Sequence, residues 1–481
     1  MPGFTPGRRW QPAYYPFHKE PFLDRITASV ERFLKGTFFG CRMCGNCLLQ
    51  ETAFICPMEG AKGLRNGPCG GSSAAGCYVD PTRPCIWYEI YQRSEKLGRS
   101  EYLMEVLPPL DWDKVGTDTW LDGYRHWKEN IGIRGAWNAL FTSPRERAQL
   151  VEKFFHDIRQ PVWWSGDREY HPPVEHEPVS KLEQKLVNGE FAITVEISPP
   201  LSDSPADVIK KVEMLRDYVD AANYTDSPSA TPRMSSFSCA VLTLQNGLEP
   251  VLQIAARDRT RMSVQAEVLG ASALGIRNIL CLTGDHPRMG TMPHGRMDIW
   301  DIDSIQMLWI LRKMRDQGQF LDGREIKSPP RIFLGAAGSP FASEVRLQGI
   351  REQKKLNAGA QFFQTNLIYD TDRFTEYMET LDKHGIPGRA YLLAGIAPVK
   401  NAKAARFMNQ IPGIHIPQPL IDRLENAKDA REEGVQIALE IIEKVRKIPG
   451  ISGLHFMSVT WESIVPRLVV ESGLRPEKSS T

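Results

Sequence analysis

The chain of 481 residues has almost no net charge, with 59 Lys plus Arg against 58 Asp plus Glu. No global field therefore draws it to nucleic acid or to an anionic lipid surface. No stretch approaches the ~20 continuous apolar residues that a bilayer span requires. The first ten residues carry two prolines and no apolar core, so they lack the form of a secretory signal. No Gly-x-Gly-x-x-Gly fingerprint and no phosphate-binding loop follows any apolar run, which argues against the dinucleotide-binding and nucleotide-triphosphatase folds. Cysteine is scarce outside one block: of nine, only Cys239 and Cys281 lie beyond the span Cys41 to Cys85. These absences predict a cytoplasmic protein whose partners are small molecules or proteins, with no nucleic acid and no membrane among them.

What is present is the balance of a globular chain, 42% hydrophobic and 24% charged, long enough for a large core and two separable units. Residues 1–95 hold an N-terminal arm, a helix expected over Pro21–Leu34, and the cysteine block with its turn residues Asn66-Gly67-Pro68-Cys69-Gly70-Gly71. Residues 96–178 carry Trp112, Trp120, Trp127, Trp137, Trp163 and Trp164 among charged residues. They read as a helical docking segment that ends in a linker over Asp167–Glu177.

From residue 179 to 481 short apolar runs alternate with helical stretches. Strands are expected at Ala192–Ile197, Ala221–Tyr224, Pro250–Ile254, Asn278–Thr283, Arg331–Ala336, Phe362–Thr365, Ala390–Ile396 and Gly453–Met457. Helices are expected at Pro205–Tyr218, Arg259–Leu274, Asp303–Gln317, Ser343–Asn357 and Thr371–His384. Eight such units match an α/β fold of the (β/α)8 TIM barrel class, with its active site at the C-terminal ends of the strands. An open doubly wound sheet has the same periodicity. The barrel would follow a small cysteine-rich metal-binding domain of helix and loop.

Cys41-Arg-Met-Cys44-Gly-Asn-Cys47, followed by Cys56-Pro57, makes two Cys-x-x-Cys steps and a more distant Cys-Pro. Three thiolates at this spacing can wrap three corners of a [4Fe-4S] cluster, with Cys56 closing it or serving a neighbour. The same steps also suit tetrahedral zinc. Cys69, Cys77 and Cys85 complete a set of seven candidate ligands, one short of two all-cysteine cubanes. Cys239 and Cys281 read as small buried hydrophobes.

Glu196 ends the first expected strand just before Pro199-Pro200, a position that faces the mouth of a barrel. A carboxyl walled by apolar neighbours there can have its pKa raised by desolvation and serve as a general acid. A capping or loop carboxylate would occupy the same position.

Val195-Glu196-Ile-Ser-Pro-Pro200, the segment Gly275 to Pro287 with Thr283-Gly284-Asp285-His286-Pro287, Lys355-Leu-Asn-Ala-Gly-Ala360, Phe363-Gln-Thr365 and Gly395-Ile-Ala-Pro398 occur in this order. Together they resemble methylenetetrahydrofolate reductase over about residues 180–475. The cysteine block, with Asn66-Gly-Pro-Cys69-Gly-Gly71 and Cys85-Ile-Trp87, is similar to the small cysteine-rich subunit that accompanies this reductase in acetogenic bacteria, here placed ahead of the barrel.

The resemblance implies a bound flavin, FAD or FMN, that passes a hydride to 5,10-methylenetetrahydrofolate and yields 5-methyltetrahydrofolate. By motif match, Glu196 is the general acid that opens the five-membered ring, and Asp285 lies near flavin and pterin. Asn223, Gln253, Thr283, Gly284, Lys354 and Lys355 fall where the family touches flavin, the two lysines as phosphate holders. Asn366 falls where the family often has a pterin-binding Gln. The family often has His at Gln253, Arg at Thr283, and aromatic or His contacts around Gly335–Ser339, and this sequence departs from it at each. With a cluster present, ferredoxin or a partner flavoprotein becomes the expected donor; with zinc, NAD(P)H does. A homo-oligomer is left open. The rival readings are a folate-binding electron-transfer or assembly component without its own chemistry, and a folate-dependent methyltransferase. The second would need a corrinoid or thiol acceptor, and no Asp-x-His-x-x-Gly signature is present.

Overall fold

Eight apolar runs, too short for helices and set between helical stretches, form parallel strands that close on themselves in sequence order. They are β1 (Ala192–Ile197), β2 (Ala221–Tyr224), β3 (Glu249–Ala255), β4 (Asn278–Leu282), β5 (Phe333–Gly338), β6 (Phe362–Leu367), β7 (Tyr391–Ile396) and β8 (Ile451–Phe456). β1 pairs with both β2 and β8, placing Thr194 opposite Ala221 and His455, so the sheet is a closed barrel rather than an open one. The computed structural model describes residues 22–70, 76–117, 119–159, 164, 167–174, 177–291, 300–342, 344–411, 413–458 and 460–476. The N-terminal arm before Phe22, Trp163, and parts of the expected linker lie outside them.

The strands are buried on both faces, as a parallel sheet wrapped in helices must be. A short helix, Lys181–Val187, stops the bottom of the barrel. Ser180 caps it by accepting from Glu183 N, and Leu182 and Leu186, four residues apart, join Ala192, Val251, Phe333 and Phe362 in one cluster. Burying each leucine contributes about 2 kcal/mol. The expected outer helices all form, as Ala206–Leu215, Arg261–Ala273, Ser304–Arg312, Val345–Ala358 and Thr371–Lys383. The glycine-rich run of β5 has a packing cause. A Cβ on Gly335 would lie 2.2 Å from the Phe362 ring, which stacks on Phe333 at 4.8 Å.

The N-terminal residues form a helix at Phe22–Phe39, which ends five residues later than expected, and then a loop-rich unit whose described residues hold one regular α-helix, Ile86–Lys96. Trp87, Ile90, Tyr91 and Leu103 pack with Leu347 of the barrel helix Val345–Ala358. The unit is thereby joined to the barrel wall through apolar contact. The stretch after it runs along the helix Ser304–Arg312: Gln306 Nε2 donates to the carbonyls of Leu107 and Pro108, and the Trp164 ring packs at a tilt on Trp309, centroids 4.4 Å apart. Asp167 accepts from both Trp309 and Arg312. No described helix is long and apolar enough to cross a membrane.

Candidate active site

Strand register assembles a polar layer at the C-terminal mouth. Asn223 lies beside Glu196, and His455 beside Thr194. Gln253 Nε2 donates to Glu196 Oε2 at 2.9 Å, and His455 Nε2 lies 3.9 Å from the same oxygen. The other His455 nitrogen, Nδ1, is 2.9 Å from Thr194 Oγ1, which also accepts from Gln364 Nε2 at 3.1 Å. Gln364 in turn pairs with Asn223 through both amides. His455, Thr194, Gln364 and Asn223 thus form one hydrogen-bonded set, and the Glu196–Gln253 pair stands beside it. Glu196 opens into a cavity of about 700 Å³, within the range of small-molecule sites.

Gln253, Asp285, Asn366 and His455 share the lining of that cavity with Glu196, and its outer wall is apolar, with Phe407, Met408, Ile411, Ile414 and Trp461. Ser458 also lines it, and its buried Oγ has no hydrogen-bond partner among the described residues. A buried hydroxyl of this kind is a ready contact for a ligand. Asp285 follows β4 on a turn that needs Gly284 in the left-handed region, at φ +86°. One Asp285 oxygen accepts from Ser229 N at 2.9 Å.

The cysteine-rich unit reaches this rim. Lys62 Nζ donates to the Gly284 carbonyl at 2.7 Å. Burial pushes the Lys62 ammonium pKa down, while the charges of Cys69 and Asp285 oppose the shift. His286, stacked on Trp300 at 5.5 Å, has its pKa lowered to about 4 by burial and then by Lys62 and Arg288.

The other residues expected from sequence fall elsewhere. Asn223 is fully buried and committed to Gln364. Thr283 donates to Ser304 Oγ and does not line the cavity. Lys354 and Lys355 are each 2% exposed, neither a solvated face nor a lining. Lys355 is paired with Glu352 and donates to the Ala337 carbonyl, and Lys354 sits in the field of Asp303 and Glu105. Burial lowers both ammonium pKa values to about 8. Neither lines the cavity, and the Lys355 ammonium is spent on Glu352 and the Ala337 carbonyl. Asn366 lines the cavity, tied to Gly413 and to its own following N–H. Sequence reading missed His455, Gln364 and Lys62. The first two could have been found as polar residues inside otherwise apolar parallel strands. Lys62 is far from the barrel in sequence and left no signal.

The seven cysteines divide into two groups. Cys41, Cys44, Cys47 and Cys56 line one small cavity together with Arg65. Cys69, Cys77 and Cys85 line a second with Lys62. Among the described residues no three Cys, His, Asp or Glu side chains are arranged to hold a metal ion, so the expected ligand set is not drawn together. The seven thiols are divided between two cavities, four in one and three in the other. Burial raises the pKa of Cys41 to about 11 and pushes Cys44 and Cys56 up as well, and mutual repulsion adds to it. Ligation would take those protons off, because cysteine binds a metal as thiolate. The donor chemistry still suits an anionic centre, since the Arg65 charge favours thiolate at Cys44.

Comparisons with known families and relatives bear on this site. The family model described as methylenetetrahydrofolate reductase matches residues 181–473. A second, described as methylene-tetrahydrofolate reductase C terminal, matches residues 21–113, here ahead of the barrel. The 5,10-methylenetetrahydrofolate reductase of Pectobacterium carotovorum subsp. carotovorum is 21% identical over 306 residues, covering 62% of this chain and 95% of the relative. Methylenetetrahydrofolate reductase 2 of Schizosaccharomyces pombe is 22% identical over 316 residues, 61% of this chain and 47% of its own length. Methylenetetrahydrofolate reductase (NADH) 1 of Arabidopsis thaliana is 23% identical over 319 residues, 62% of this chain and 51% of its own. The chain thus spans about half the length of those two eukaryotic relatives. With more than half of its residues inside the first match and the barrel covered almost throughout, the chain belongs to the methylenetetrahydrofolate reductase family.

Proposed function

We propose that the chain reduces 5,10-methylenetetrahydrofolate to 5-methyltetrahydrofolate. The observation that carries this reading is the Glu196 carboxyl, held by Gln253 at 2.9 Å in a cavity that Asp285 also lines. As general acid, Glu196 gives a proton to the leaving nitrogen as the folate ring opens, which makes the methylene carbon electrophilic. Gln253 and His455 fix the direction of that carboxyl, and Asp285 and Asn366 offer the polar contacts for a pterin. The apolar outer wall excludes water from the opened ring.

A bound flavin, FAD or FMN, supplies the hydride in this family's chemistry. Its ring end would lie in the cavity lined by Gln253, Asp285, Gly338 and Ser458, where the buried Ser458 Oγ has no hydrogen-bond partner among the described residues. The phosphate end would need partners other than Lys354 and Lys355. The four thiols beside Arg65 and the three beside Lys62 are the groups that would hold a [4Fe-4S] cluster or zinc. A cluster would supply single-electron transfer from ferredoxin or a partner flavoprotein, and zinc a structural brace.

The test is anaerobic purification of the full chain, with iron, sulfide and zinc analysis, a visible spectrum, and turnover of 5,10-methylenetetrahydrofolate with reduced ferredoxin or NADH. Iron with sulfide and a flavin band near ~450 nm support an electron-relay reductase. Zinc without sulfide supports direct reduction by NADH. Absence of folate turnover with every donor overturns the reading.

A further inference from the structure

The barrel loop that carries Asp285 is gripped from outside the barrel. Three groups of the cysteine-rich unit meet the segment Gly284–His286. Lys62 Nζ donates to the Gly284 carbonyl at 2.7 Å, the Tyr78 hydroxyl meets the His286 backbone, and the His286 ring meets the backbone of Ala61. The Lys62 ammonium lies 5.0 Å from the centre of the Tyr78 ring and 5.9 Å from that of Trp300, so aromatic faces replace part of its lost hydration. It stands between two sites, in the wall of the cavity lined by Cys69, Cys77 and Cys85 and within the field of Asp285 in the barrel cavity.

Stability alone does not account for an ammonium in this place. Lys62 is 8% exposed, Arg257 and Arg351 repel it, and an apolar residue of similar volume often serves a core at least as well as a buried ion. What the cation does that an apolar residue cannot is to fix a carbonyl and face a carboxylate. The Gly284 turn is formed for this. A Cβ there would lie 3.0 Å from that of Arg257 and 3.1 Å from that of Ala255, so only glycine fits and its carbonyl is free to point at Lys62.

The geometry points to Lys62 as a positioning residue for the barrel site, through which the cysteine-rich unit sets the aim of Asp285. The inference rests on the reading of Asp285 as a working side chain of folate reduction. It makes the N-terminal unit part of the active site as well as a candidate electron carrier.

The test is a double-mutant cycle in the full chain with Lys62→Met, Asp285→Asn and the pair, reading kcat and KM for 5,10-methylenetetrahydrofolate, metal content and the urea midpoint. K62M is expected to lower kcat roughly 10- to 100-fold, the penalty of a misplaced group, with KM little changed. The double variant should be no slower than D285N, since Lys62 acts only through Asp285. Lys62→Arg, which keeps the charge and the donor, should recover most of the lost kcat. If K62M does not fold, Lys62→Gln, which keeps a donor without the charge, takes its place in the cycle. Losses that multiply in the double variant, or a K62M enzyme as fast as wild type, overturn the inference while leaving the reductase reading intact. A wild-type chain without folate turnover overturns that reading and the inference with it.

Discussion

Asn223 and Gln364 exchange both of their amide hydrogen bonds across the barrel, Asn223 Nδ2 donating at 2.6 Å and Gln364 Nε2 at 3.1 Å. Both side chains are buried, so neither can turn to water if the other is removed. Gln364→Leu should therefore destabilise the fold by about 1–3 kcal/mol, the cost of an unpaired buried amide, read as a lower urea midpoint. The double variant Asn223→Leu/Gln364→Leu should lie closer to wild type than either single one, because no polar group is then left unsatisfied. Singles that add in the double would show that the amides do not act as a pair.

Glu196→Gln keeps the shape and the bond to Gln253 through its amide oxygen while removing the proton to be transferred. Turnover of 5,10-methylenetetrahydrofolate should fall roughly 10²- to 10⁴-fold, the usual worth of a positioned acid. The thermal midpoint should stay close to that of wild type. Unchanged turnover would sink the assignment of Glu196 as the acid.

The barrel was legible because each of its strands announces itself as a short apolar run between helical stretches, as Ala192–Ile197 and Ala221–Tyr224 do to the residue. Glu196 was legible because it stands at a strand end, where a barrel exposes side chains to a ligand, and Asp285 through the motif it shares with the family. Lys354 and Lys355 misled for the opposite reason. Sequence shows two adjacent cations but not Glu352, which is 0% exposed and already holds one of them. Closure of the barrel, the Thr194–His455 contact and the reach of Lys62 to Gly284 are long-range events that no local period encodes. The cysteine spacing shows which thiols are near in the chain, and the fold sorts them by cavity into four and three.

Lys355→Met discriminates between a lysine that holds a phosphate and one that holds the wall. In the structure it leaves Glu352 buried without its cation, while Ser339 N and the Tyr377 hydroxyl still reach that carboxylate. Removing one partner of a buried pair costs about 3–5 kcal/mol, so the urea midpoint should drop sharply. Flavin content per folded molecule should hold. A variant of wild-type stability that has lost its flavin would restore the phosphate-binding role.

His286 makes the grip of the cysteine-rich unit sensitive to acid. Burial first, and then the charges of Lys62 and Arg288, hold its folded pKa at about 4 against an ordinary value of 6.5. The folded state therefore keeps a neutral ring where the unfolded chain takes up a proton. Above pH 6.5 both states are neutral and the group has no effect. Between pH 6.5 and about 4 the unfolded state binds more protons, so stability falls as pH falls, by roughly 3 kcal/mol over the whole window. His286→Phe keeps an aromatic face for Trp300 and has nothing to titrate. It should be somewhat less stable than wild type at pH 7, where it lacks the contact with Ala61, and should lose less stability on going to pH 5. Urea midpoints of the two proteins at pH 7, 6 and 5 check this, because carboxylates common to both cancel in the difference. Parallel curves would mean that the ring titrates in the folded protein as it does in water, and that its burial against Trp300 does not exclude the proton.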